Sequence, residues 1–149
     1  MLKYINTDKK FVRIEDGVVT DVLELECEEC CDSDGNHLES IGVSQCQMKK
    51  SGTWLESKTD NSSFRGNEAF VGFTYHTEVA TLGVGSTDVF MPLRPHPSWV
   101  GIHTEKAEWI APIQRPVETD EQIQNHQYYN WDEDLYQSDN TQGWILIQG

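Results

Sequence analysis

The 149-residue chain carries its five prolines in two short clusters, Pro92-Leu-Arg-Pro95-His-Pro97 and Pro112-Ile-Gln-Arg-Pro116. Proline fixes φ near about −65°, removes a backbone donor and pushes the preceding residue toward extended backbone. Neither cluster suits the interior of a helix or a central strand. The second half of the chain must therefore be short pieces joined by extended links. Those pieces are aromatic strand pairs around polar turns. Ala69 to Tyr75 reads as a strand with Asp88 to Met91 as its partner, and Thr81 to Ser86 as a Gly-rich flexible tip between them. Trp99 and Trp109 flank a second turn. Tyr128 to Asp132 and Gly143 to Ile147 flank a third. The spacing is irregular, 24 residues from Tyr75 to Trp99 and 32 from Trp99 to Trp131, so this is a degenerate internal repeat.

The first sixty residues follow a different pattern. Phe11 to Ile14 alternates, Asp16-Gly17 makes a turn, and Val18 to Leu25 is rich in β-branched residues, which together predict a hairpin. The acidic stretch Glu24 to Asp34 reads as a loop closed by Gly35-Asn36. His37 to Ser51 predicts a helix, with Leu38, Ile41, Gln45 and Met48 on one face and Lys49-Lys50 in the last turn. Gly42 weakens it by roughly 1 kcal/mol relative to alanine. Trp54 to Lys58 predicts a strand, and Thr59 to Ser63 a polar link. The expected fold is mostly β with a minor α component: a β-β-α-β unit over 1–60, then three proline-linked aromatic hairpins over 61–149.

Charge narrows the partners. With 11 Lys and Arg against 25 Asp and Glu the formal net charge is −14. Nucleic-acid binding needs clustered cations to displace counterions, and the tight pair Lys49-Lys50 does not make a cluster. Nucleic acid and anionic membrane are therefore not expected as partners. No apolar run approaches the ~20 residues of a membrane span, and Met1 to Lys10 lacks the apolar centre of a signal peptide. A chain made and kept in a cytoplasm, or in something assembled there, would keep its four cysteines as thiols or metal ligands, not disulfides. A mean hydropathy of −0.58 suits a thin sheet-rich protein better than a thick enzyme.

Each sign of chemistry has a plainer reading. Cys27-x-x-Cys30-Cys31 with His37 and Cys46 would supply four zinc ligands, but a second tight pair is missing and Cys46 falls on the apolar side of the helix. Asp32-Ser-Asp34-Gly-Asn36 fails the calcium-loop pattern, because its sixth and twelfth positions are His37 and Val43. The histidines are scattered, and no nucleophile elbow or phosphate-cradling loop occurs. Asp132-Glu133-Asp134 reads as a charged turn tip, not a hydrolase pair. The expectation is no catalytic residue, no metal and no cofactor. Exposed aromatics on small β modules stack on sugars or fill partner pockets. Trp99, Trp109, Trp131, Trp144, Tyr129, Pro95 and Pro97 are the candidates for partner or glycan contact. The competing reading makes Trp109, Trp131 and Trp144 the small cores of their own hairpins.

The order of these aromatic and proline residues resembles a family of small virion-associated proteins of marine cyanophages. Phe70-Val-Gly-Phe-Thr-Tyr75, Asp88-Val-Phe90-Met-Pro92, Pro95-His-Pro97-Ser-Trp99, Trp109-Ile-Ala-Pro112, Tyr129-Asn-Trp131-Asp-Glu133 and Trp144 carry the resemblance. Phe64-Arg65, Asp34-Gly35-Asn36 and Gly52-Thr-Trp54 extend it over nearly the whole chain. His76 in place of the family's Asp, Leu93 in place of a Pro, the extra residues 77–87 and the cysteine cluster depart from it. The resemblance implies a phage origin and a place in the virion, assembled in the host cytoplasm. The leading expectation is a non-enzymatic capsid decoration or knob. Its partner would be the major capsid protein or another virion protein, or a second copy, met by edge-strand or apolar contact. The alternatives are a tail or tail-fibre component that stacks host glycan on Trp99 or Trp131, and an assembly chaperone.

Overall fold

The computed structural model describes residues 8–60, 64–77, 88–103 and 106–149. The expected tip at 81–86 lies outside the described residues, as does part of the link at 59–63. The fold is mostly β and divides into two compact units. The first runs to Leu93 and includes His103–Glu108; the second comprises Arg94–Ile102 and Trp109–Gly149.

The first unit contains β1 (Lys9–Glu15), β2 (Val18–Leu25), α1 (Glu39–Lys49), β3 (Thr53–Ser57), β4 (Thr74–His76) and β5 (Val89–Met91). These match the expected hairpin, helix and strand in position, but α1 buries Gly42 and Cys46, whereas Leu38 and Met48, expected on its apolar face, are exposed because that side of the helix turns away from the sheet. The acidic loop, by contrast, opens with a short 3-10 helix over Cys27–Cys30. The five strands form one antiparallel sheet in the order β3-β1-β2-β4-β5. The pair β4–β5 thus belongs to this sheet rather than standing as a free hairpin, so the first unit extends beyond the residue-60 boundary read from the linker. The strand expected over 69–75 shortens to Thr74–His76. A turn with a Phe73 N–H bond to the Phe70 carbonyl (3.0 Å) and Gly72 at φ 95 interrupts its start.

Alternation along the strands builds two apolar layers. Phe11, Leu25 and Trp54 lie on the face covered by α1, where they pack with Cys30 and Cys46. Val12 and Val19 point the other way and pack with Ala69 and Phe90, flanked by Val22, Leu55, Phe73 and Tyr75. Residues 65–69 touch both edges of the sheet. The Arg65 guanidinium donates to the Glu56 carbonyl on β3 (2.9 Å), and the Phe90 N–H on β5 donates to the Arg65 carbonyl (2.9 Å). The Ala69 N–H donates to the buried Ser57 hydroxyl (2.8 Å). This segment is the seam of a curled sheet.

The second unit contains β6 (Gly101–Ile102), β7 (Trp109–Ile110), α2 (Asp120–Gln124), β8 (Gln127–Trp131), α3 (Glu133–Ser138) and β9 (Trp144–Gln148). β6 pairs with β7 and β8 with β9, both antiparallel. Both expected hairpins are present; α2 lies between them in the chain, and α3 lies between the two strands of the second. Thr119-Asp-Glu-Gln122 forms a reciprocal capping box at α2. Asp132 caps α3 by accepting the Leu135 N–H (3.0 Å). Asp132-Glu133-Asp134 is therefore a helix start, not a turn tip. The first proline link also bends where extension was expected. Trp99 N–H bonds to the His96 carbonyl (3.1 Å), closing a β-turn with Pro97 at its second position.

Candidate functional site

The residues singled out for contact collect in the second unit, where an aromatic cluster replaces separate hairpin cores. Trp131 and Trp144 are directly opposite each other across β8–β9, with ring centroids 5.2 Å apart in an edge-to-face arrangement. Trp99 joins both, at 5.9 Å from Trp131 and 6.0 Å from Trp144. The Pro97 turn delivers it, and also sets His96 5.2 Å from its ring. Tyr136 of α3 packs on Trp131 at 5.4 Å. Trp99 and Trp109 do not face each other, because the register pairs Trp109 with Ile102 and leaves Trp99 outside the strand.

Polar groups fasten this cluster from within. Glu133 accepts hydrogen bonds from the Ser98 hydroxyl (2.7 Å), the Trp131 indole N–H (2.9 Å) and the Gln137 amide (2.7 Å). The Ser98 hydroxyl, then the Trp131 N–H, hold its pKa down at about 2 against the opposing effect of burial. The Trp144 indole donates to the Ile113 carbonyl (2.8 Å). The Trp99 indole nitrogen is enclosed without a hydrogen-bond partner. Arg94 lies over the Trp109 ring, 4.9 Å from its centroid. Arg115 and Glu118 form an ion pair that grips the outer backbone of Tyr129. Glu118 accepts its N–H (3.2 Å) and Arg115 donates to its carbonyl (3.3 Å).

Exposure sorts the candidates. Trp131 is 5% exposed and Trp109 8%, so neither offers an open face to a sugar ring. Trp144, Trp99 and Tyr129 are half-buried, while Pro95 and Pro97 are exposed. The open apolar side chains of this unit are ones that pattern reading passed over: Val100, Ile110, Val117, Ile123, Tyr128 and Leu146. The only signal for them in the sequence is their place in otherwise polar loops or on short strands.

The cysteines and carboxylates of the first unit have structural surroundings. Cys30 and Cys46 are buried in the layer under α1, and burial raises their thiols to about 12 and about 11. Cys31 lies half-exposed beside Cys27, its thiol donating to the Cys27 carbonyl (3.3 Å). His37 pairs with Glu56 (2.8 Å) instead of joining the thiols. Among the described residues no group of three or more His, Cys, Asp or Glu side chains is placed to hold a metal ion. Asp32 accepts the N–H groups of Asp34 and Asn36, each at 2.9 Å, as the acceptor of a local turn. Arg65 binds Glu39 on α1 and Asp88 (2.8 Å), and Tyr75 donates to Asp88 (2.6 Å). Burial would raise the Asp88 carboxyl; the Tyr75 hydroxyl and the Arg65 charge outweigh it and leave it below its ordinary value.

In comparison with known proteins the chain matches no family model, no curated protein and no solved structure.

Proposed function

We propose that this chain is a non-enzymatic structural component of a phage particle, a decoration or knob on the capsid exterior. In this reading its second unit makes the contact with the major capsid protein. One observation carries the contact role. The tryptophans and the Glu133 carboxylate are occupied with one another inside the unit, while Val117 at 86% exposure, Val100 at 63% and Ile123 at 60% stand in solvent. Small apolar groups on a surface fit shallow protein contact and not an enclosed small-molecule site. The resemblance of the aromatic–proline order to cyanophage virion proteins supports the particle as the setting. The net charge of −14 suits an exterior position, where self-repulsion keeps particles dispersed.

Mass-spectrometric proteomics of purified particles tests the reading. The chain should appear at a fixed ratio to the major capsid protein and stay with tailless heads. Recovery with isolated tails instead would refute the capsid assignment. Presence in assembling cells but absence from finished particles would refute a virion role and favour a chaperone.

A further inference from the structure

Among the described residues two sheet edges are covered by the same device. On β3, the Glu56 N–H donates to the Glu39 carboxylate (2.7 Å) and the Glu56 carbonyl accepts from Arg65 (2.9 Å), with Arg65 and Glu39 ion-paired. On β8, the Glu118–Arg115 pair does the same for Tyr129. Each Arg–Glu pair offers a mid-strand residue one acceptor and one donor, as a neighbouring strand would. On β5, Gly66 bridges Phe90, and the Asn67 amide donates to the Phe90 carbonyl (2.8 Å). Covered edges of this kind keep a sheet from pairing with foreign strands.

β9 is treated differently. Among the described residues neither a strand nor an Arg–Glu pair lies along its outer side. Its hydrogen-bonding sense is fixed at both ends. The Asp132 N–H bonds to the Gly143 carbonyl and the Gly149 N–H to the His126 carbonyl, both at 2.7 Å. By alternation, Ile145 and Ile147 bond to β8, and the N–H and C=O groups of Trp144, Leu146 and Gln148 point outward. Leu146, at the centre, is 40% exposed. The stretch Gln142-Gly-Trp-Ile-Leu-Ile-Gln-Gly149 holds no charge and no proline. It also reads nearly alike in both directions about Leu146, with Gly143 mirrored by Gly149 and Ile145 by Ile147.

We propose that β9 is a self-association edge, at which two copies of this chain pair antiparallel about a two-fold axis through Leu146. Leu146 then faces its own copy, Ile145 faces Ile147 and Trp144 faces Gln148. Because the outward groups belong to residues 144, 146 and 148, the central Leu146 pair and the two Trp144–Gln148 pairs are of the hydrogen-bonded kind, giving about six main-chain bonds, and the Ile145–Ile147 pairs between them are not hydrogen-bonded. The result is a continuous four-stranded sheet, β8-β9-β9-β8. A strand from another protein would use the same backbone groups; the near-palindrome is what selects a second copy. The charge of each chain opposes close approach, but β9 carries none, and salt screens the remainder beyond about 8 Å at physiological strength. The inference stands apart from any role in a virion.

The test is sedimentation equilibrium of the full chain over a wide concentration range, with Leu146→Pro and Leu146→Lys. Proline removes an outward N–H that β8 does not use, so the β8–β9 ladder is kept. Lysine sets two like charges directly opposite across the axis. Wild type should pass from monomer to dimer, and each variant should raise the dissociation constant by more than about tenfold. Tryptophan fluorescence reports whether the variants stay folded. If they do not, amide exchange of the wild type decides. Leu146 and Gln148 amides should be protected at high concentration and exchange freely on dilution, with Ile145 and Ile147 protected throughout. A wild type that stays monomeric, folded variants that dimerise as wild type does, or a Leu146 amide indifferent to concentration would each overturn the proposal.

Discussion

Replacing Gly42 with alanine sets helix propensity against packing, and the two give opposite signs. Gly42 lies mid-helix in α1, where alanine is favoured by about 1 kcal/mol. It is also buried against Phe11, itself 0% exposed. A Cβ at Gly42 would fall 2.1 Å from Phe11 Cζ and 2.7 Å from both Cε atoms. Carbon atoms in contact rest at about 3.5–4.0 Å, so the overlap exceeds an ångström. The ring has little room to move, because Leu25, Cys30, Cys46 and Trp54 pack in the same layer. Overpacking of this kind costs about 1–3 kcal/mol. Taking the upper end for a fully buried ring and subtracting the propensity gain leaves a net loss of about 2 kcal/mol. Urea denaturation followed by circular dichroism measures it. A thermal midpoint lower by about 4–8 °C per kcal/mol should accompany it in a unit of this size. In a Phe11→Leu background the same substitution should turn neutral or stabilising, since the clashing atoms are gone. A Gly42→Ala protein more stable than wild type would refute the close-approach argument.

Gly143→Ala should also destabilise, by about 1–3 kcal/mol, because its Cβ would come 2.3 Å from two ring atoms of Trp131; equilibrium unfolding read by tryptophan fluorescence gives the value. Arg65→Lys should cost about 2–4 kcal/mol, since an ammonium cannot hold Glu39, Asp88 and the Glu56 carbonyl together. Its chemical denaturation midpoint would then fall, and an unchanged midpoint would remove Arg65 as the clasp. Acid should loosen the second unit. Glu133 and Glu118 are both held down at about 2 from an ordinary 4.5, by Ser98 and by Arg115 respectively. Depressed carboxylates contribute stability above the unfolded value, and it is lost as pH falls from about 4.5 toward 2. Glu133→Gln should flatten part of that dependence in a pH series of unfolding curves. Thiol labelling of the native chain should modify Cys27 and Cys31 first and reach Cys30 and Cys46 only on unfolding, because burial shields the latter pair and raises their pKa values; equal rates for all four would contradict the packing under α1.

Local signals carried much of the architecture. Asp16-Gly17 between alternating runs specified the first hairpin because the turn needs positive φ at both positions, and Asp16 at 53° with Gly17 at 79° supplies it. The caps at Thr119 and Asp132 are equally local, each side chain accepting a backbone N–H three residues on, yet pattern reading passes over the first and makes Asp132-Glu133-Asp134 a turn tip. The proline clusters did interrupt regular structure, yet Pro97 served a turn where extension was expected. Which of these conformations a proline adopts depends on what the following residue packs against.

Local pattern was enough for a mostly β chain with one substantial helix and strand pairs over 11–25, 69–91 and 128–147, because alternation and turn chemistry act over a few residues. Where those pieces belong was set by long-range packing. β4 joins the first sheet by pairing with β2, Val18 opposite Thr74, and the segment from Arg65 to Ala69 bonds to both β3 and β5. Trp99, Trp131 and Trp144 converge into one cluster, which buries Trp131 and leaves Trp99 and Trp144 half-exposed. Arg115 with Glu118 covers one edge of the last hairpin and leaves β9 open. Such choices rest on contacts between distant residues, whose pairing no local pattern encodes.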